Sequence, residues 1–110
     1  MTTATMIANI EMMNGQLVIM DLTNHVITRK TLQSGETLVG FSTDLIVTLK
    51  QSQVISYTSE CREISRLNVY PGDAVRGVIG PNILIYRVNG KYLATYDKNF
   101  REITRRYLST

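Results

Sequence analysis

Residues 57–66 read YTSECREISR, and residues 96–105 read YDKNFREITR. The two strings share Tyr at the start and the run Arg-Glu-Ile-Ser/Thr-Arg, at an offset of 39 positions. Ile27 lies 37 positions before Ile64 and corresponds to it in the first part of the chain. Recurrence at a fixed spacing is the signature of a repeat architecture. The sequence therefore predicts three tandem units of about 37 residues within a single domain, namely 1–34, 35–71 and 72–110.

Each unit is predicted to contain four short antiparallel strands and no helix, because no long segment has helical periodicity. Turn-forming pairs such as Pro71-Gly72 divide the strands. The two offsets differ by 2 residues, and we assign this insertion to the region of the Gly80-Pro81 turn. The predicted strands of the second and third units are Thr37–Ser42, Asp44–Lys50, Gln53–Ser59 and Arg62–Val69, then Ala74–Ile79, Asn82–Val88, Lys91–Asp97 and Arg101–Leu108.

The strands of one unit differ in their polarity. Leu45-Ile46-Val47 and Ile83-Leu84-Ile85 are continuous apolar runs, as expected for strands covered on both faces. The fourth strands alternate and carry most of the charge, which predicts a sheet that runs from a buried inner edge to a solvated outer edge. Asn89-Gly90 is the strongest hairpin turn, since both residues tolerate positive φ, and Asn14-Gly15 occupies the same place in the first unit.

Two places in the repeat resemble the WD-repeat and related propeller families. In those families a Gly-His pair precedes the first strand and a Trp-Asp pair ends the third. Here Gly35-Glu36 and Gly72-Asp73 stand at the first place, and Met20-Asp21, Tyr57-Thr58 and Tyr96-Asp97 stand at the second. The chain has no Trp, and its single His lies elsewhere. The resemblance therefore implies propeller-like blades without the hydrogen-bonded tetrad of the WD-repeat family.

Three blades do not close a ring, because propellers usually contain four to eight. A homodimer would supply six blades and a closed ring with two-fold symmetry, and this is the favoured architecture. The β-trefoil is the alternative, since it closes with three repeats in one chain. A piece of a longer propeller, or another sandwich fold, also accounts for the pattern.

Composition is ordinary for a globular domain: 110 residues, of which 44% are hydrophobic and 19% are charged. No apolar run approaches the ~20 residues of a membrane helix, and the first residues lack the basic region of a secretory signal. Cys61 is the only cysteine. These features predict a cytoplasmic protein with no membrane association, no intrachain disulfide and no zinc site.

The net charge of +3 is unevenly distributed. Residues 72–110 hold seven Lys and Arg against three Asp and Glu, so the third unit carries +4. Its basic and aromatic cluster is a candidate site for an anionic small molecule, such as a nucleotide or phosphosugar, or for nucleic acid. A solvated edge strand protected by its charge explains the same residues. The candidate ligand-binding residues are Lys98, Arg101, Arg105, Arg106 and Tyr107.

Arginine recurs at one position in every unit, as Arg29, Arg66 and Arg105. These side chains could form a ring of cations, but the structural interpretation is favoured, in which each stem covers the neighbouring blade. Glu63 and Glu102 are then expected as cross-strand partners of the arginines. Four methionines of the first unit are expected to fill core or interface gaps: Met6, Met12, Met13 and Met20.

No phosphate loop, nucleophile elbow, metal spacing or carboxylate pair occurs in the sequence. His25 lies in a predicted turn and is expected at the surface. The function predicted from these features is a non-enzymatic scaffold for protein interaction or assembly, without cofactor or metal. Its expected partners are a second copy of the chain and another protein, and anionic-ligand or nucleic-acid binding through the third unit is the alternative.

Overall fold

The computed structural model describes residues 6–108, which form eleven β-strands and no helix. The strands are short because turn residues interrupt the chain every five or six positions. They are β1 (Asn9–Met13), β2 (Gln16–Met20), β3 (Val26–Thr31), β4 (Glu36–Phe41), β5 (Ile46–Lys50), β6 (Gln53–Tyr57), β7 (Glu63–Asn68), β8 (Ala74–Ile79), β9 (Asn82–Arg87), β10 (Tyr92–Tyr96) and β11 (Glu102–Tyr107).

These strands form three separate antiparallel sheets, each within one predicted unit. The first sheet has the order β1-β2-β3, the second β4-β5-β6-β7, and the third β8-β9-β10-β11. All-β structure and the eight predicted strands of the second and third units are confirmed. The strand that would complete the first unit by equivalence falls on residues 1–5, outside the described residues. Pairing within each unit is the arrangement of blades, whereas a trefoil would pair strands of different units in a shared barrel.

One turn recurs in all three sheets, before the last strand. Asp97 Oδ1 accepts hydrogen bonds from the amides of Asn99 and Arg101, both at 2.9 Å. Asp21 Oδ1 and Thr58 Oγ1 accept from the amides two and four residues later in the same way. Such side-chain acceptors stabilise tight turns. The third residue after each acceptor has a φ near +60°, at Asn24 (66°), Cys61 (64°) and Phe100 (59°).

The insertion between the second and third units lies in a different turn from the one predicted. Strand register keeps the offset of 37 along β9. Val78 pairs with Ile83 as Phe41 pairs with Ile46, and Ala74 pairs with Tyr86 as Thr37 pairs with Leu49. The offset becomes 39 only across the next turn. The two extra residues therefore lie between β9 and β10, at 88–91, and not at Gly80-Pro81.

That insertion also changes the hairpin turns. Asn14-Gly15 is a two-residue turn with φ of 53° and 78°, as predicted. The turn that contains Asn89-Gly90 is longer, and its positive φ belongs to Lys91 (54°). The prediction of a two-residue turn at Asn89-Gly90 is wrong, because the pattern of residue types does not reveal the length of the turn.

The sheets pack face to face, and the second sheet is covered on both sides. Along β5, Ile46 faces the first sheet and Val47 faces the third, and both are fully buried. The buried residues between the first and second sheets are Ile7, Leu17, Ile19, Ile46, Ile55 and Tyr57. Those between the second and third sheets are Leu45, Val47, Val54, Val69, Ile83, Ile85, Ala94, Tyr96 and Phe100.

Burial across each sheet differs from the predicted inner-to-outer gradient. All six residues of β11 are exposed, so the solvated last strand is confirmed. The central strands are the most buried, whereas β4 and β8 are only partly covered. Ile83 and Ile85 are fully buried, but Leu84 between them is half-buried, since no other sheet of the described part of the chain packs on that side of the third sheet.

Candidate functional site

A buried carboxylate joins the first and second sheets. Glu36 has no exposed side-chain surface. Its oxygens accept hydrogen bonds from the hydroxyls of Thr48 and Tyr57, both at 2.7 Å, and from the amide of Gln33 at 3.0 Å. Lys30 of the first sheet places Nζ 3.8 Å from Glu36 Oε1 and 4.5 Å from the centre of the Tyr57 ring. Glu36 and Tyr57 thus form a polar cluster at the two places where the WD-repeat pattern has His and Trp.

This environment changes the acidity of both partners. Burial alone would raise the pKa of Glu36, but the hydrogen bonds from Thr48, Gln33 and Tyr57, with the charge of Lys30, lower it on balance. Burial and the bond to the carboxylate raise the pKa of Tyr57. Glu36 is therefore held ionised, and Tyr57 is held as a hydrogen-bond donor.

A related cluster joins the second and third sheets. Asp73 occupies the position equivalent to Glu36, and its side chain is 1% exposed. Its oxygens accept from the amides of Tyr70 and Val88 at 2.9 and 2.8 Å. Arg87 contacts Asp73 at 3.3 Å, Tyr96 Oη at 3.2 Å and the carbonyl of Asn68 in the second sheet at 3.3 Å. Within residues 6–108, no buried side-chain polar atom lacks a hydrogen-bond partner.

The second and third sheets also approach closely at Gly40. A Cβ at this position would lie 2.9 Å from Val78 Cγ2, so only glycine permits the contact. Two side-chain hydroxyls cross the same interface. Ser42 Oγ donates to the carbonyl of Gly80 at 2.6 Å, and Ser56 Oγ donates to that of Lys98 at 2.7 Å. The interface thus combines an apolar core with short polar contacts at its margin.

The far side of the third sheet carries the same pattern of residues, but no sheet formed by residues 6–108 packs against it. Ile27 and Ile64 pack against the following sheet, whereas the equivalent Ile103 is 57% exposed. Val69 is 9% exposed, and the equivalent Leu108 is 43% exposed. We call this surface the open face, and it consists of Gly77, Ile79, Leu84, Leu93, Ile103, Arg106 and Leu108.

Gly77 lies on the open face at a position where a larger side chain would fit. It is equivalent to Gly40, and neither glycine has positive φ. A Cβ at Gly77 would meet nothing within 4 Å. Neither backbone conformation nor packing within residues 6–108 requires glycine there. A close approach by another surface, like that of Val78 to Gly40, would require it.

The basic cluster does not converge on one site. Arg105 makes a two-point contact with Glu102 at 2.9 and 2.8 Å, donates to Tyr107 Oη at 3.1 Å and lies 4.0 Å from the centre of the Tyr92 ring. The bonds to Glu102 and Tyr107 raise the pKa of Arg105. Lys98 and Arg101 are exposed in and beside the preceding turn, and Arg106 lies on the opposite side of β11. Binding of an anionic ligand by these residues stays a prediction.

The recurring arginines are exposed, and two of them bind the expected glutamates, but not across two strands. Arg66 binds Glu63 through two contacts of 2.9 Å, as Arg105 binds Glu102. Each pair lies on a single strand and not across two strands. Val26 stands at the equivalent position in the first sheet, so Arg29 has no such carboxylate. The guanidinium of Arg105, and not its stem, lies over the ring of Tyr92, which belongs to the same sheet.

A cleft at the connection between β7 and β8 was not predicted. It has a volume of about 500 Å³ and opens between the second and third sheets. Tyr70 at its rim is 56% exposed, and Asp73 is already bound by backbone amides and Arg87. No sequence signal marks the cleft, because its walls come from separate strands. Its lining includes Val39, Leu49, Gln51, Tyr70, Pro71 and Val75.

The remaining candidate residues have ordinary environments. His25 is exposed and contacts Thr23. Cys61 is half-buried, and burial raises the pKa of its thiol. Among residues 6–108, no group of three or more His, Cys, Asp or Glu side chains could hold a metal, and no helix could cross a membrane. Exposed fractions of 45% to 55% show that three methionines do not fill the core of this chain: Met6, Met12 and Met13.

Comparison with known proteins supports the fold only. No protein-family model matches the chain, and no curated protein matches its sequence. The crystal structure of BamB from Moraxella catarrhalis, a β-propeller protein, is similar over 100% of this chain, with a TM-score of 0.53 and 6% identity. The chain spans 39% of the length of BamB. The three sheets therefore have the arrangement of consecutive propeller blades.

Proposed function

We propose that this protein is a non-enzymatic assembly scaffold of the propeller type, in which the open face of the third sheet binds another β-sheet. The repeated pattern of the interfaces supports this proposal. Each sheet presents apolar residues to the next, and hydroxyls and polar clusters fix the contact. The third sheet keeps this pattern on a face that nothing within residues 6–108 covers.

The observation that carries the proposal is the exposure of equivalent residues. Leu84, Leu93 and Ile103 remain apolar at the positions equivalent to Val47 and Val54, which are buried, and to Ile64, which is partly buried against the next sheet. Covering such partly exposed side chains contributes about 1 kcal/mol each, since full burial of a large aliphatic side chain contributes about 1.5–3 kcal/mol. Exposed apolar patches of this kind mark interaction surfaces.

A second copy of the chain is the simplest source of the missing sheet. Two chains of three sheets each would form a six-bladed ring, within the range of known propellers. Closed rings with two-fold symmetry are common among homo-oligomers. The proposal includes a cytoplasmic setting and requires no cofactor or metal.

Solution mass tests the proposed function. Wild-type protein should gain mass with concentration in sedimentation velocity, and Ile103→Glu should abolish the gain because it places a charge in the apolar contact. Leu22→Glu is the control, since Leu22 is 77% exposed in a turn of the first sheet, away from the open face. A wild type that remains monomeric throughout the micromolar range, or association that survives Ile103→Glu, would overturn the proposal.

A further inference from the structure

One face of the first sheet points away from the second sheet, and no other sheet formed by residues 6–108 packs on it; we call it the free face. Register places Leu17 and Ile19 of β2 toward the second sheet, where both are fully buried. Glu11 pairs with Val18, which points the other way but is itself only 3% exposed, and Arg29 lies beside Val18 on the third strand. Glu11 and Arg29 are exposed. The free face of the first sheet therefore presents a carboxylate, an arginine and a methionine, Met13, that is 49% exposed.

The contact between the first and second sheets supplies a template for the open face. Lys30 faces the second sheet from a position that pairs with Leu17, and Arg106 pairs in the same way with the equivalent Leu93. Arg106 is thus the cation of the third sheet at the position of Lys30. On the receiving sheet, Lys30 meets Glu36, which is also bound by Thr48 Oγ1 at 2.7 Å.

Glu11 occupies the position equivalent to Thr48. Glu11 pairs with Val18 as Thr48 pairs with Ile55, and the offset is 37 in both strands. If a first sheet covered the open face as the second sheet covers the first, Arg106 would stand where Lys30 stands. The Glu11 carboxylate would then extend from the Thr48 position toward that cation. The two charges would replace the Lys30–Glu36 pair.

We infer that the sheet covering the open face is the first sheet of a second copy of this chain, with Arg106 of one copy opposite Glu11 of the other. The inference rests on the proposed function and names its partner. The charges of the units agree with it, because the third unit carries +4 and the first carries zero. Two open faces packed together would instead bring Arg106 against Arg106, and like charges disfavour that contact.

This head-to-tail contact closes with two copies. Each copy offers one open face and one free first sheet, so two identical contacts cover both faces of both chains. No uncovered sheet face formed by residues 6–108 is then left to add further copies, and the assembly stops at the dimer. The second sheet cannot take this role, because both of its faces are already covered within its own chain.

Charge reversal tests the pairing. Arg106→Glu and Glu11→Arg, studied separately, each place like charges in both contacts of the dimer, and self-association should weaken about 100-fold. An equimolar mixture of the two variants should form a heterodimer of near wild-type affinity. In one of its contacts Arg106 meets Glu11 as in the wild type. In the other contact the introduced glutamate meets the introduced arginine. Arg101→Glu is the control, because it makes the same charge change at an exposed position beside a turn.

The outcomes separate this inference from the proposed function. A heterodimer that forms from the mixture, while each variant alone is monomeric and folded by circular dichroism, supports the pairing. If Ile103→Glu abolishes wild-type association but the mixed charge variants fail to pair, the open face remains an interface and its assignment to the first sheet is wrong. If Arg106→Glu alone associates like wild type, the pairing is also wrong.

Discussion

Alanine substitution at Gly40 and Gly77 distinguishes a sheet face that is packed against the next sheet from the open face, which is not. Both changes add one methyl group at equivalent positions with ordinary φ. At Gly40 the new Cβ would lie 2.9 Å from Val78 Cγ2, well inside the optimal separation of about 3.5–4.0 Å between carbon atoms. Val78 is half-buried and stiff at χ1, so it cannot easily move aside. Overpacking of this kind costs about 1–3 kcal/mol.

At Gly77 the same methyl group meets no atom within 4 Å. Alanine loses less conformational freedom on folding than glycine, so Gly77→Ala should stabilise the isolated chain by about 0.5–1 kcal/mol. Urea unfolding followed by circular dichroism, at concentrations low enough to keep the chain monomeric, measures both effects. The gain in chain entropy is common to both variants, so we expect them to differ by the overpacking cost, about 1–3 kcal/mol in the free energy of unfolding. Equal values, or a larger loss for Gly77→Ala, would refute the difference between the interfaces. At high concentration, Gly77→Ala should weaken self-association.

Three further predictions concern the polar clusters and the recurring turn. Glu36→Gln should destabilise the chain by about 1–3 kcal/mol at neutral pH, because the amide replaces a buried charged acceptor, and urea unfolding measures this loss. Since the folded pKa of Glu36 is lowered, its contribution is complete above its ordinary pKa and is lost as pH falls through the lowered value. The urea midpoint of wild type should therefore fall more steeply in acid than that of Glu36→Gln, and equal slopes would contradict the assignment. Asp97→Ala should lower stability by about 1 kcal/mol in thermal unfolding, because two amides lose their acceptor, and no change in the unfolding temperature would argue against the role of this turn.

Much of the fold is predictable from sequence because the repeat is local. Alternating apolar residues and turn residues determine the strands of each unit, and both signals are visible in short windows. The location of the insertion is not predictable in this way. Gly80-Pro81 is a strong turn signal, whereas the extra residues lie at 88–91, which only strand register reveals.

The contacts of the site depend on geometry that the sequence does not display. Glu63 and Arg66 would point to opposite sides of a regular strand, but a bulge opposite Ser56 and Tyr57 places them on the same side. The pair Glu36 and Tyr57 is separated by 21 positions and meets only through strand pairing. The open face could not be predicted for a similar reason. The apolar run Ile83-Leu84-Ile85 predicts that Leu84 is buried, and only the packing of the sheets shows that it is half-buried.

Thiol labelling tests most directly whether the open face is covered when the protein assembles. Ile103→Cys places a thiol at a position that is 57% exposed in the single chain, and Leu22→Cys places one at a position that is 77% exposed in a turn. Cys61 is an internal reference with slow labelling, because burial raises its pKa. As protein concentration rises, labelling of Ile103→Cys should slow while that of Leu22→Cys stays constant. Equal labelling of both thiols at every concentration would contradict the account.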